Sequence, residues 1–274
     1  MQNKIKIAFV GGGNMANALI GGLLTNLTTA EHIHVIDLNQ SSLDKLAGDF
    51  GVTTALAADA RLAQMDAIIL AVKPQQLREV VQGLAPYLDQ QLLISIAAGI
   101  RATDMARWLG GYDKIVRTMP NTPALIGQGM TGLFALAAVS AEQKLMAERI
   151  MQAVGATTWL DDESLLDAVT AVSGSGPAYV FYFIEALQQA ATELGLTSEQ
   201  GLQLAMTTFT GAAQLALQAS EPVSVLRERV TSKGGTTYAA LTSMENAGVK
   251  EAIVSAIKAA AARGKELGDE FGTL

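Results

Sequence analysis

The sequence contains no cysteine, and histidine occurs only twice in its 274 residues. Without cysteine the chain cannot form disulfides, present a thiolate nucleophile or bind a metal through sulfur. His32 and His34 come just before a short β-branched run, and alternation predicts them at the mouth of a second strand, on one face near solvent. We therefore expect neither histidine-based acid–base catalysis nor a metal site.

Charged residues are also scarce, at 16%, and the net charge is -7. A sequence pI near 4.9 argues against nucleic acid or an anionic membrane surface as a partner. A long uncharged run, residues 118–141, contains Pro120, Pro123 and several glycines, which makes it a poor membrane span. The chain enters a predicted strand at once, with no charged-then-apolar signal segment, so we expect a cytoplasmic protein.

A glycine motif between a strand and a helix is the strongest local signal. Residues 4–10 read as a buried strand, Gly11, Gly13 and Ala16 follow as G-x-G-x-x-A, and apolar residues at helical spacing begin at Leu19. Gly11 permits a tight turn, Gly13 lets a pyrophosphate approach the backbone, and Ala16 lets the helix pack against the strand. The pattern predicts dinucleotide binding; the alternative is a glycine turn that binds nothing.

The second predicted strand, residues 35–37, ends in a carboxylate. Asp37 lies roughly where an acidic side chain accepts the ribose hydroxyls of NAD. The polar residues after it could instead hold a 2′-phosphate, although no arginine lies there. Alternatively this segment only caps a helix, with Ser41 or Ser42 as the N-cap. These residues do not decide between NAD and NADP.

Two further apolar runs, residues 67–72 and 92–98, are typical of central parallel strands. In an open α/β sheet, the carboxyl ends of strands at the order switch line the ligand crevice. Lys73 is therefore expected near the phosphate or ribose of a cofactor. The alternative is a solvated loop charge, with Pro74 starting a helix.

The pattern changes near residue 160. Strands and helices alternate before it, which predicts an α/β fold: a Rossmann-type doubly wound parallel sheet over residues 1–160. Residues 161–274 read as all helical, with long helices from 177 to near 195 and at 198–218, 236–246 and 249–267. Several of these helices are apolar on more than one face, which predicts a homodimer; the alternative is a monomeric helix bundle.

Two glycine-rich breaks interrupt the helical part, at residues 173–177 and 231–237. The second is the better anion site, because adjacent Gly234 and Gly235 let backbone N–H groups converge in front of a helix N-terminus. Ser232, Thr236 and Thr237 add hydroxyls, and a small carboxylate would suit the site. An ordinary capped turn is the alternative.

Six segments together resemble the pyrroline-5-carboxylate reductase family, and the likeness spans nearly the whole chain. They are residues 11–15 (GGGNM), 71–75 (AVKPQ), 97–99 (AAG), 119–123 (MPNTP), 173–180 (SGSGPAYV) and 232–237 (SKGGTT). The first is shared with many dehydrogenases, whereas the last three, in this order and spacing, are highly specific.

The resemblance implies reduction of 1-pyrroline-5-carboxylate to L-proline with NADP as the cofactor and NAD possible, in a homodimer or a higher assembly of dimers. Cofactor contacts are implied for Val10, Gly11, Gly12, Gly13, Asn14, Met15, Asn39, Ala71, Val72, Lys73, Pro74, Ala97, Ala98 and Gly99. The substrate site is implied to comprise Ser232, Gly234, Gly235, Thr236 and Thr237. In it the substrate carboxylate would lie on backbone groups, and Thr237 would hydrogen-bond the ring nitrogen as the catalytic residue.

The sequence departs from the family pattern at two positions. Ala58 is the nearest match to an Asn that often contacts the cofactor, and Lys233 stands where other members have Pro.

Two other functions remain open. One is a 3-hydroxyacid or 6-phosphogluconate type of dehydrogenase, although no lysine lies where that chemistry needs one. The other is a regulatory protein that senses NAD(P) without turnover, which would need no substrate site.

Overall fold

The computed structural model describes residues 4–273, and within them eight strands form one sheet. The strands are β1 Ile7–Val10, β2 Ile33–Ile36, β3 Thr53–Ala55, β4 Ala67–Leu70, β5 Leu92–Ser95, β6 Ile115–Met119, β7 Gly129–Ala135 and β8 Gly155–Trp159. The outer ends of the two predicted domains, residues 1–3 and 274, lie outside the described residues.

The helices alternate with the strands up to β8 and then continue without strands. They are α1 Asn14–Asn26, α2 Gln40–Phe50, α3 Pro74–Leu84, α4 Ala102–Trp108, α5 Ala141–Gln152, α6 Leu165–Val169, α7 Gly176–Glu193, α8 Ser198–Gln218, α9 Val223–Arg229, α10 Thr236–Asn246 and α11 Val249–Thr273. A π-helical turn, Thr170–Gly174, follows α6.

The sheet has the strand order β3-β2-β1-β4-β5-β6-β7-β8. Every pair is parallel except β6 with β7. The order reverses beside β1, which pairs with β2 on one side and with β4 on the other. This confirms the predicted doubly wound sheet and its switch between the first and fourth strands.

Apolar side chains cover both faces of the sheet. Ile7 and Phe9 of β1 belong to a core cluster that contains buried residues of α1, α2 and α5. Ala8 and Val10 belong to a second cluster with residues of α3 and α4. Successive side chains of a strand point to opposite faces, so helices on both faces require the continuous apolar runs seen in the sequence.

The chain forms two compact units, which we describe separately. Of the described residues, 4–175 and 260–273 make up the sheet unit, and 176–259 make up the helical unit. The boundary predicted at residues 160 and 161, from the change in sequence pattern, stays a prediction. None of the helices in residues 4–273 is both long enough and apolar enough to cross a membrane.

Helix prediction in the carboxyl-terminal part was accurate for the long elements. α8 and α10 have the predicted bounds, and α11 begins as predicted but continues to Thr273. α9 was not predicted, since a helix of seven residues shows little periodicity. Within the helical unit, α7 and α8 approach closely at Gly201, whose added Cβ would lie 3.0 Å from that of Ala191.

The predicted position of the histidines was wrong for His34. β2 begins at Ile33, two residues earlier than expected, and His34 lies inside it, 1% exposed. Its partner in the adjacent strand β3, Thr53, bonds the ring at 2.9 Å, so the ring is held against the neighbouring side chain and is not near solvent. His32 precedes the strand in a short 3-10 helix, with its side chain 25% exposed.

Candidate functional site

The segments predicted to hold a nucleotide meet at one edge of the sheet. Val10 ends β1 and is followed by the glycine turn, residues 71–73 follow β4, and residues 97–99 follow β5. These strands are adjacent and parallel, so their carboxyl ends lie side by side at the order switch. The structure therefore gathers these residues where open α/β sheets bind ligands.

Gly11 allows the turn after β1 and its contact with the chain after β4. Its φ of 104° is a backbone conformation that side chains disfavour. A Cβ at Gly11 would lie 2.4 Å from the carbonyl oxygen of Ala71. Only glycine satisfies both demands, so the motif residue has a structural cause besides ligand access.

The amino-terminal end of α1 has the form of an anion site. The first intrahelical bond runs from Asn17 N–H to Gly13 O at 2.9 Å, so the N–H groups of Asn14, Met15 and Ala16 have no partner within the helix. Gly13 is the N-cap without a side-chain cap, and apart from its sequence neighbours no atom of the described residues lies within 4 Å of the position that its Cβ would take. The open backbone and the helix dipole together fit a pyrophosphate.

Asp37 connects the glycine turn to the segment after β2. One carboxylate oxygen accepts the N–H of Gly12 at 2.6 Å, and the other accepts the N–H of Asn39 at 2.8 Å. The partners lie on two different loops, so the carboxylate fixes their spacing. Sequence reasoning placed Asp37 near a ribose but missed these bonds, since Gly12 is 25 residues away.

Asn39 is the N-cap of α2. Its side-chain oxygen accepts the N–H groups of Ser41 and Ser42, at 3.0 and 3.4 Å. The predicted serine N-cap was therefore wrong, because asparagine, whose side chain caps at least as well, occupies the earlier position. These capping bonds use only the side-chain oxygen, and Asn39 itself is exposed.

Lys73 and Pro74 form the start of α3. This agrees with the alternative prediction, in which Lys73 is an exposed loop residue and Pro74 starts a helix. Lys73 is the N-cap with extended φ and ψ, and Pro74 is the first helical residue. The Lys73 side chain is exposed. This helix start does not oppose a cofactor contact, because the exposed Lys73 follows β4 at the same sheet edge.

Two buried hydroxyls hold the chain after β5. Ser95 Oγ accepts the N–H of Ala97 at 3.3 Å, and the Thr118 hydroxyl donates to Ser95 O at 3.0 Å. Both residues are almost fully buried. Polar residues inside the apolar strands β5 and β6 were a signal that sequence reasoning did not use. They tie the predicted cofactor segment at residues 97–99 to β6.

The segment after β6 is held by a side-chain amide. Asn121 Oδ1 accepts the N–H of Met130 at 2.8 Å, and its Nδ2 donates to Ser173 O at 3.2 Å. The glycine-rich segment at residues 173–175, noted in the sequence, is thereby tied to the end of β6. Sequence reasoning did not identify this role for Asn121.

The predicted substrate residues form a turn in the helical unit that leads into α10. Gly234 has a left-handed φ of 74°, and Gly235 is the N-cap of the helix. The N–H of Gly235 donates to Ser232 O at 3.0 Å, so this donor is already engaged in the turn. The first intrahelical bond runs from Ala239 N–H to Gly235 O, which leaves the N–H groups of Thr236 and Thr237 for an anion.

The fold and this geometry define the class of protein. An open sheet with a glycine turn, a free helix N-terminus and a carboxylate after the second strand is the architecture of nicotinamide-dinucleotide oxidoreductases. Comparison with known proteins agrees. Residues 6–99 match the family described as NADP oxidoreductase coenzyme F420-dependent, and residues 163–267 match the family described as pyrroline-5-carboxylate reductase dimerisation.

Similarity over the full length is more specific. The chain is 45% identical to a pyrroline-5-carboxylate reductase of Pseudomonas aeruginosa, covering 97% of this chain and 98% of the relative. A solved pyrroline-5-carboxylate reductase from Coxiella burnetii is 41% identical with a TM-score of 0.90, covering 97% of this chain and 99% of that one. A pyrroline carboxylate reductase from Plasmodium falciparum, solved with NADP bound, is 31% identical with a TM-score of 0.86, covering 98% and 99%. The chain belongs to the pyrroline-5-carboxylate reductase family.

Proposed function

We propose that this protein reduces 1-pyrroline-5-carboxylate to L-proline with a nicotinamide cofactor, as the last step of proline synthesis. The observation that carries the proposal is the pair of anion sites, one at the start of α1 and one at the start of α10. The first suits the pyrophosphate of a dinucleotide, and the second suits a small carboxylate. Membership of the family joins these two sites in one reaction.

NADPH is the proposed cofactor, since one relative of known structure was solved with NADP. When bound, it supplies a hydride for the carbon of the imine. The residues of the sheet unit that would hold it are Val10, Gly11, Gly12, Gly13, Asn14, Met15, Asn39, Ala71, Val72, Lys73, Pro74, Ala97, Ala98 and Gly99. Asp37 supports NADH as a second cofactor, because a carboxylate after β2 pairs with a ribose hydroxyl and repels a 2′-phosphate.

The turn before α10 is the proposed substrate site. The N–H groups of Thr236 and Thr237 would bind the substrate carboxylate, and the exposed Ser232 and Gly234 would complete the rim. The Thr237 hydroxyl would hydrogen-bond the ring nitrogen. A protonated cyclic imine is already an electrophile, so the protein needs to position it more than to activate it.

Self-association follows from the dimerisation region at residues 163–267. We propose a homodimer, or a larger assembly of dimers, located in the cytoplasm. Large apolar side chains on α7 and α8 are exposed in the single chain, among them Phe181 and Tyr182 at 61% and 72%. A partner subunit would remove these surfaces from water.

A direct assay tests the proposed function. Purified protein is mixed with 1-pyrroline-5-carboxylate and NADPH or NADH, and the loss of cofactor absorbance is compared with the proline formed. We expect equal amounts of cofactor oxidised and proline produced. A protein that binds NADPH but forms no proline, or that instead oxidises a 3-hydroxyacid with NAD(P), would contradict the proposal.

The substrate site is tested by Thr237→Val. This change keeps the shape of the side chain and removes its hydroxyl, so we expect turnover to fall by roughly 10-fold or more. The matched control is Thr242→Val, which lies more than one turn further toward the C-terminus of the same helix. It should retain wild-type turnover. A Thr237→Val protein with native folding and unchanged turnover would exclude a role for this hydroxyl.

A further inference from the structure

The end of α11 lies directly on the predicted cofactor segment at residues 97–99. We call residues 267–272 the C-terminal segment. A Cβ at Gly99 would lie 3.2 Å from the Cβ of Leu267, and a Cβ at Gly268 would lie 3.3 Å from Gly99 O. Two glycines facing each other thus allow the helix and the loop to touch through their backbones.

An aromatic ring extends this contact to the second cofactor segment. Phe271 packs on the apolar cluster that contains Ala97 and Ile100, and Val72 packs on the same cluster. A cavity of about 220 Å³ is bounded by Phe271, Ile100, Trp108 and residues of α3, including Pro74. The C-terminal segment therefore lies against the chain after β5 and beside the chain after β4.

Polar contacts fasten the C-terminal segment on the other side of the loop. Arg101 forms an ion pair with Asp269, and Arg107 Nη2 donates to Gly272 O at 2.5 Å. Arg107 is itself held by Asp104, 2.9 Å away. A Cβ at Gly272 would lie 2.6 Å from Asp104 Oδ2, so this glycine also permits a close approach.

We infer that the C-terminal segment positions the predicted cofactor segment at residues 97–99, with Gly268 and Phe271 as positioning residues for NADPH binding. The inference rests on the proposed function, because residues 97–99 are assigned to the cofactor there. Residues 97–99 are held at Ala97, whose N–H donates to Ser95 Oγ, and at Gly99, which contacts α11. A loop fixed on both sides can present its backbone to a ligand without first paying an ordering entropy.

Gly268→Val tests the inference, because a branched side chain would push α11 away from Gly99 O. We expect the Kd for NADPH, measured by calorimetry, and the KM for NADPH to rise roughly 10-fold. The KM for pyrroline-5-carboxylate should stay within about 2-fold, since the substrate turn is a separate site. Hydrogen exchange of the amides at residues 97–101 should become faster in the same protein.

Gly264→Val is the matched control. It adds the same side chain one turn earlier in α11, where an added Cβ meets only ordinary contacts, 3.8 to 4.0 Å from atoms of Asp167. The intrinsic cost of valine in a helix is equal in the two variants and cancels. Phe271→Ala should raise the Kd for NADPH, and Phe271→Leu should restore most of the binding.

The outcomes separate the two proposals. An unchanged Kd and unchanged loop exchange in folded Gly268→Val would overturn the positioning role and leave the proposed reaction intact. A wild-type protein that binds NADPH but does not reduce the imine would overturn the reaction alone, and the Kd comparison would still decide the positioning role. A wild-type protein that binds neither NADPH nor NADH would overturn both.

Discussion

At the scale of single residues, the imidazole of His34 is a buried titratable group with one hydrogen-bonded nitrogen. The Thr53 hydroxyl donates to Ile33 O at 3.1 Å, so the bond at 2.9 Å between this hydroxyl and His34 must be donated by Nδ1–H. The neutral ring then has no proton on Nε2, which is buried and finds no hydrogen-bond partner within residues 4–273. Asp59 lies 3.8 Å from this nitrogen.

The charges around His34 predict a dependence of stability on pH. Burial and the nearby Arg61 lower the pKa of His34, and the opposing effect of Asp59 is smaller. The unfolded chain therefore binds a proton near the ordinary pKa of about 6.5, whereas the folded chain resists it. We expect the free energy of unfolding of the wild type to fall as the pH drops from about 7 to about 5. The free energy of unfolding of His34→Asn should fall less steeply over the same range of pH.

Denaturant unfolding at several pH values measures this effect. His32→Asn is the control, since that side chain lies before the strand and is 25% exposed. Carboxylates other than Asp59 contribute equally to the wild type and both variants, so the difference in slope reports His34 together with its effect on the pKa of Asp59. Parallel slopes for the wild type and His34→Asn would show that the buried ring does not set the acid sensitivity.

At the scale of secondary structure, the π-helical turn before α7 has a chemical cause. In a continuous helix, the carbonyl of Ser173 would accept the N–H of residue 177, but that residue is Pro177, which has no N–H. Asn121 Nδ2 supplies the missing donor at 3.2 Å. The wider turn is closed by a bond from Ser175 N–H to Thr170 O at 2.8 Å.

This account predicts that Asn121 and Pro177 are energetically coupled. Asn121→Ala leaves the Ser173 carbonyl and the Met130 N–H without their partner, which should cost about 1–3 kcal/mol of unfolding free energy. Pro177→Ala restores a backbone donor at the right spacing. In that background, we expect Asn121→Ala to cost less by about 0.5 kcal/mol or more.

Denaturant unfolding of the four proteins in this cycle gives the coupling energy. Gln128→Ala, which removes an exposed side-chain amide near the same segment, should show the same cost with either residue at position 177. Additive effects of Asn121→Ala and Pro177→Ala would mean that the amide does not replace the proline's missing donor.

Local patterns explain which parts of the fold and site could be predicted. The bounds of α8 follow from a capping box at Thr197 and a sustained apolar period. The glycine turn could be recognised because its strand, turn and helix are consecutive in sequence. The bonds of Asp37 with Gly12, and the contact of Gly99 with Gly268, join residues far apart in the chain. A single sequence contains no local pattern for such pairs.

At the scale of the whole molecule, we expect the exposed apolar side chains of α7 and α8 to form the subunit interface. Phe181→Asp places a charge on this surface and should weaken association, since an unpaired carboxylate is costly to bury. We expect sedimentation to show a wild-type mass of at least twice 28.6 kDa. The Phe181→Asp variant should be dissociated at protein concentrations at which the wild type is still associated.

Leu145→Asp is the matched control, because it adds the same charge to an exposed leucine on α5 of the sheet unit. It should leave the wild-type mass unchanged. Equal association of wild type and Phe181→Asp at every concentration would place the subunit interface on another surface of the molecule.

The strand order has a consequence for how the protein is made. After β4 pairs with β1, each later strand joins the edge formed by the strand synthesised just before it, from β5 to β8. A nascent chain leaving the ribosome can therefore enlarge its sheet in the order of translation, once β4 has emerged. Among the strands of residues 4–273, the one delayed pairing is that of β1 with β4, the same junction at which the nucleotide would later bind.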